Sequence, residues 1–196
     1  MVVVKEKIRN RIVDGAQNVF SRHGYRRTTM DEIAQVLEMG KSSIYYYFNS
    51  KEDIFRAVVE KEGNVLKKEI NRVLDAESSP LGKLKTYIRC RLHRLPDFKN
   101  LYEALIKEDL PEMDFVINLR KRFNREEKEL VTRIFQSGNS EGSFKVADPV
   151  LGAIAISTMM RGLEIPLLYN SKDVEERRKL MEDLINVILY GIFRGN

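Results

Sequence analysis

The chain has one cysteine, Cys90, and two histidines among its 196 residues, too few for a disulfide framework or a metal site built on thiolate and imidazole. Cys90 and His93 stand three residues apart, but no second pair accompanies them. They read as a partly buried thiol beside a surface histidine, and no metal or other cofactor is expected. Apolar runs are short as well. The longest, residues 150–160, is interrupted by Gly152, Ser157 and Thr158 and falls well below the roughly 20 residues that span a bilayer. The opening MVVVKEKIRNR has too small an apolar patch for a secretory signal, so a cytoplasmic protein with no membrane partner is expected. Signatures of catalysis are missing too. Gly138 and Gly142 lie in a turn without the Gly-Lys-Ser/Thr of a phosphate loop, and no serine or cysteine has the local context of a nucleophile. The acidic pairs Glu126–Glu127 and Glu175–Glu176 read as solvated helix faces.

What remains is abundant apolar residue, 43% of the chain, arranged with helical periodicity and no convincing alternating strand. An all-α fold is expected. The first helix runs from about residue 5 to 23, with Gly24 ending it and Tyr25 packing back. Thr29 and Glu32 form a capping-box pair that opens a second helix. A break at 38–40 precedes a third helix over about 41–48, and Ser50 with Asp53 opens a long fourth. Further helices are expected from Pro80 to Leu95, around 98–105, over about 112–137, and over 149–169 and 173–193. Asp148–Pro149 forms the N-terminal signature of the first of that last pair. The net charge is +5. Residues 1–51 hold nine basic and five acidic side chains, so most of that excess lies near the start.

The stretch TTMDEIAQVLEMGKSSIYYYFNSK, residues 28–51, carries the functional signal. It reads as two short helices joined by a tight turn. Ile44 and Phe48 anchor the second of these, which leaves hydroxyls, phenols and ammonium groups on the other faces. Three consecutive tyrosines cannot all face one core, because successive helical residues point about 100° apart. A slim polar helix tethered from behind suits the major groove of DNA, about 12 Å wide, with Thr28, Thr29 and Lys51 bracketing the motif near the sugar–phosphate walls.

The segments FSRHGYRRTTMDEIA and SSIYYYFNSKEDIF resemble the N-terminal region of TetR-family transcriptional regulators over residues 8–55. The resemblance implies a three-helix helix-turn-helix head at residues 1–50. It also implies a larger helical ligand-binding and dimerisation domain at 51–196, and a homodimer built from the last two long helices. By position in the motif, Lys41, Ser42 and Tyr45 are expected at base edges, and Thr29, Tyr46, Tyr47 and Lys51 at phosphates. Thr28 and Ser43 complete the expected DNA-contacting set. The partners implied are a palindromic double-stranded operator and a small-molecule effector that releases a repressor from it. Two positions depart from the family pattern. Glu38 stands where glycine is usual and Gly40 where serine or threonine is usual, so a shifted turn with Gly40 at positive φ is expected.

The last two helices are apolar on too many sides for one packing partner. They are either central to their own domain or a symmetric seam; for the seam the candidates are Met181, Leu184, Ile185, Ile188, Leu189 and Ile192. Candidate effector contacts are Tyr87, Arg91, Tyr102, Phe115, Phe123, Met159, Met160, Arg161 and Glu164. For these the plainer reading is ordinary core and surface pairing, for example Arg161 with Glu164. Two other readings stay open: a DNA-bound chromosome-organising protein, and a helical enzyme or carrier with a basic start.

Overall fold

The computed structural model describes residues 2–106, 114–169 and 174–190, without the side chains at 2, 3, 95, 106, 164–169, 174, 176, 177 and 188–190. Among the described residues there are nine α-helices and no strand: α1 (Val2–His23), α2 (Met30–Val36), α3 (Lys41–Tyr45), α4 (Lys51–Asp75), α5 (Pro80–His93), α6 (Lys99–Ile106), α7 (Asp114–Ser140), α8 (Pro149–Tyr169) and α9 (Val174–Tyr190). A 3-10 turn at Leu95–Phe98 carries the chain through Pro96, so α5 stops two residues short of the expected Leu95. Helix starts coincide with side-chain caps. Ser50 Oγ accepts from the Asp53 N–H at 3.1 Å, Ser79 Oγ from Gly82 at 3.0 Å, and Asp148 Oδ1 from Val150 and Leu151 at 2.9 and 3.1 Å. Each cap satisfies N–H groups that have no partner inside the helix.

Two compact units emerge. The first comprises Met1–Val65 with Phe98–Ala104, and the second Leu66–Asp97 with Leu105–Asn196. In the first, Ile12, Ala16 and Phe20 of α1, Ile33 of α2, Ile44 of α3 and Ile54, Phe55 and Val58 of α4 are buried. Gly24 ends α1 at φ 77. The Tyr25 ring then lies 4.8 Å from that of Phe55, which meets Phe20 edge-on at 5.1 Å. Glu62 of α4 is also buried here. Its carboxylate accepts from Gln17 Nε2 (3.0 Å), Asn100 Nδ2 (2.8 Å) and the Leu101 N–H (2.7 Å), joining α1, α4 and the start of α6.

In the second unit α5 packs against α7, α8 and α9, and α8 lies chiefly on α7. The expectation of a solvated Glu126–Glu127 face is half corrected. Glu126 pairs with Lys67 at 3.1 Å near the surface, but the Glu127 side chain is only 9% exposed. It accepts from Tyr87 Oη at 2.5 Å and forms an ion pair with the equally buried Arg91. Burial above all raises the Tyr87 phenol far above its ordinary pKa, and the neighbouring Glu127 carboxylate adds to this. The reading of the last helices is corrected too. Met181 and Ile185, candidates for a symmetric seam, are buried within their own unit. Leu184 is half-buried, and Leu180 and Val187 are the outward-facing residues. Ile188, Leu189 and Ile192 lie outside the described residues. On α8, Ala153, Ile156 and Met160 face inward, while Val150, Leu151 (62% exposed) and Ile154 face outward.

Candidate nucleic-acid interface

Helix α3 is only five residues long, and its position depends on what lies behind it. Ile44 is fully buried and Phe48 nearly so. The Tyr47 and Phe48 N–H groups still bond to the Ile44 carbonyl, at 2.9 and 3.0 Å. The expected helix to Phe48 is therefore a short α-helix followed by a further turn. With that anchor inward, Lys41, Ser42, Ser43, Tyr45 and Tyr46 are exposed and Tyr47 is half-buried. The Tyr46 and Tyr47 rings meet edge-on at 5.1 Å. Lys41 Nζ pairs with Asp31 Oδ2 of α2 at 3.0 Å, both groups well exposed. The hydrogen bond and charge of Asp31 raise the Lys41 pKa.

The turn before α3 differs from the expected one. Glu38, not Gly40, takes the left-handed conformation, at φ 53. Gly40 has φ −65 and ψ 138 and serves as the N-cap of α3, without a side chain to cap it. The reason is visible in the hydrogen bonds. The Glu38 N–H reaches the Gln35 carbonyl at 3.1 Å and the Met39 N–H reaches Ala34 at 3.0 Å. With Leu37 as C-cap, this is a Schellman closure of α2, which demands positive φ at the residue after the cap. The glycine usual in the family suits that position. Here a glutamate bears its steric strain, of order 1–2 kcal/mol. Leu37 is fixed by α1. Its carbonyl accepts from Arg11 Nη2 at 3.1 Å, and its side chain occupies the space that a Cβ on Gly15 would need.

Three of the expected contacting residues have structural roles. Thr28 is buried, and its hydroxyl donates to the Gly24 carbonyl at 2.8 Å, so it does not bracket the motif at the surface. Thr29 is the N-cap of α2, and its capping box with Glu32 is complete. The backbone N–H of Thr29 donates to the Glu32 carboxylate, which holds its pKa below the ordinary value. Lys51 Nζ lies 2.8 Å from the Thr28 carbonyl, 2.9 Å from that of Tyr25 and 3.4 Å from that of Arg26, and 4.4 Å from the Tyr25 ring centre. An ammonium has three N–H donors, and all three are aimed inward. Lys51 ties the start of α4 to the loop between α1 and α2, and partial burial lowers its pKa.

The family described as "Bacterial regulatory proteins, tetR family" matches residues 12–58, the stretch whose geometry is given above. Over those residues the chain is a TetR-family DNA-binding region. It is accordingly a DNA-binding transcriptional regulator. The HTH-type transcriptional regulator QacR of Staphylococcus aureus is 22% identical over 188 residues, covering 94% of this chain and 98% of QacR. The fold is shared with a TetR/AcrR-family regulator from Thermobifida fusca (TM-score 0.79, 21% identity, 96% of this chain and 100% of that one). It is also shared with FadR from Bacillus subtilis in complex with stearoyl-CoA (TM-score 0.74, 20% identity, 93% and 98%).

Of the candidate effector contacts, Tyr102 is buried in the first unit, whereas Tyr87 and Arg91 are joined through Glu127 in the second. The buried Arg91 already has a carboxylate partner in Glu127. Phe115 and Phe123 of α7 are half-buried, Met160 is fully buried, and its neighbour Met159 is 39% exposed. Arg161 Nη1 donates to Asn124 Oδ1 of α7 at 2.7 Å. The Glu164 side chain lies outside the described residues. No group of three or more potential metal ligands occurs among the described residues, and no helix there is long and apolar enough to cross a membrane.

Proposed function

We propose that this TetR-family protein is a homodimeric repressor that reads a palindromic operator through α3 and is released from it by a small-molecule effector. The observation that carries the reading is the division of α3. Ile44, with Phe48 just beyond the helix, is held in the core, while Lys41, Ser42, Ser43, Tyr45 and Tyr46 are presented to solvent on a helix short enough to enter one groove. In this reading Lys41, Ser42 and Tyr45 meet base edges, and Thr29, Tyr46 and Tyr47 meet phosphates, with Ser43 beside them. Lys51 and Thr28 shape the loop behind. Residues 1–50 read DNA, and residues 51–196 bind the effector and dimerise.

The outward apolar residues of α8 and α9, Leu151, Ile154, Leu180 and Val187, form the seam in this proposal, with Leu184 at its edge. A twofold pair of heads then engages half-sites about one helical turn apart. The ligand-bound relative supports an effector for this chain. An effector that prefers one arrangement of the second unit shifts the population of heads able to engage both half-sites. Both α4 and α6 contain residues of each compact unit, so each helix is a covalent route for that shift. The protein acts in the cytoplasm, on the nucleoid, without a catalytic step.

Selection of bound duplexes from a random pool at physiological salt tests the proposal. A palindromic motif with half-sites near one helical turn apart is the expected result. Enrichment without a motif transfers the protein to a chromosome-organising role, and an absence of enrichment in the effector-free protein ends the DNA reading.

A further inference from the structure

We propose that α1 carries a second phosphate-binding strip, Lys5 and Arg9, which extends the DNA contact beyond the helix-turn-helix. The inference rests on the DNA-binding function argued above and adds residues that lie outside the motif.

Lys5 and Arg9 are four residues apart and share a face of α1. Both reach the far end of the reading segment. Lys5 Nζ lies 5.0 Å from the centre of the Tyr46 ring, and the Arg9 guanidinium 4.8 Å from that of Phe48. A cation over an aromatic face is held in place electrostatically while its N–H donors stay available. The strip therefore adjoins Tyr46 and Tyr47, the two phenols assigned to phosphates.

Neither cation is engaged elsewhere. Both are exposed, and among the described residues neither has an ion pair or a side-chain hydrogen bond. Other cations of the same unit are occupied: Arg11 by the Leu37 carbonyl, Lys41 by Asp31, Lys51 by three carbonyls and Lys61 by Asp14 and Gln17. Arg9 also shares a cleft of about 250 Å³ with Tyr47 and Asn49. Asp53 and Glu60 line the same cleft, which disfavours a small free anion within it. A duplex meets only the outer side chains and brings a row of phosphates. The partner that fits is the sugar–phosphate backbone flanking the groove that α3 occupies, a contact that positions the protein without reading sequence.

The test measures duplex affinity between 50 and 200 mM salt for the full chain and for Lys5→Gln, Arg9→Gln, Arg9→Lys and Lys7→Gln, on a selected operator and on an unrelated duplex. Each lost phosphate contact flattens the slope of log K against log salt by about 0.9. Lys5→Gln and Arg9→Gln are expected to flatten it by that amount per subunit on both duplexes, with Arg9→Lys retaining the wild-type slope. Lys7→Gln, a charge of the same sign on α1 with no aromatic seat, leaves the slope unchanged. Ethylation interference should lose its outermost phosphates in the Arg9→Gln variant. If the wild type binds with a clear slope and both glutamine variants keep it, the strip is overturned while the DNA function stands. If the wild type binds no duplex at any salt, the DNA function fails and the strip fails with it.

Discussion

Glu62 Oε2 accepts the backbone N–H of Leu101 at 2.7 Å, so a carboxylate of α4 sits on the first turn of α6. Its other oxygen holds Gln17 and Asn100. Burial raises the folded-state pKa of Glu62 above its ordinary 4.5, against the lowering effect of these hydrogen bonds and of Lys61. A raised carboxyl pKa favours the protonated form in the fold. Its stability contribution is therefore full below about pH 4.5 and is lost as the pH rises through the folded value. Wild type minus Glu62→Gln, compared by urea midpoint across pH 4 to 8, should isolate this dependence from that of other carboxylates. A difference that does not change with pH would show that Glu62 titrates normally.

Lys51→Ala should act on the fold of the first unit rather than on phosphate binding. Charged hydrogen bonds of this kind contribute roughly 1.5–3 kcal/mol. A loss of about 2 kcal/mol in stability is expected, with the salt slope of duplex binding unchanged. A slope that falls by about one per subunit at unaltered stability would return Lys51 to the phosphates.

Glu38→Gly should stabilise the protein by about 1 kcal/mol, because glycine takes positive φ without steric cost. For a chain of this size that is a rise of roughly 2–4 °C in Tm. Glu38→Ala removes the same carboxylate but keeps a Cβ, and should give no such gain. Equal gains from both would attribute the effect to charge. Gly40→Ser has room, its Cβ lying 3.7 Å from the nearest side-chain atom, and should add the cap that α3 lacks.

Glu127→Leu leaves Arg91 buried without its carboxylate and should destabilise the second unit by about 3–5 kcal/mol. Removing the polar set together, as Tyr87→Phe/Arg91→Met/Glu127→Leu, should recover most of that loss. Urea midpoints of the single and triple variants decide it. A triple variant no better than the single would mean that the three groups do not act as a unit.

The helix starts at Thr29, Ser50 and Asp148 were legible because capping is local: a side chain bonds an N–H two or three residues away. The exposed face of α3 was legible for a similar reason, since two apolar anchors four residues apart leave the intervening positions outside. The positive φ was misplaced because composition favours Gly40, whereas the hydrogen bonds that close α2 fix it one residue past Leu37. Glu127 looked solvated because two adjacent acids carry no sign of which one meets an arginine 36 positions earlier. In α9, apolar residues on more than one side gave no basis for separating Met181 and Ile185 from Leu180 and Val187; that depends on packing against distant helices such as α5. Lys5 and Arg9 were invisible for the same long-range reason, since their aromatic seats lie about 40 residues away.

The ion pair between Lys41 and Asp31 changes what Lys41 contributes in the proposed complex. One of its three N–H donors is already taken, so the ammonium is held beside α2 and its remaining donors reach only acceptors that stand where the ion pair leaves them. A sequence with a base acceptor there gains a hydrogen bond, and one without it meets a charge already partly neutralised. Lys41 then separates correct from incorrect sequences more than it adds to the grip on either.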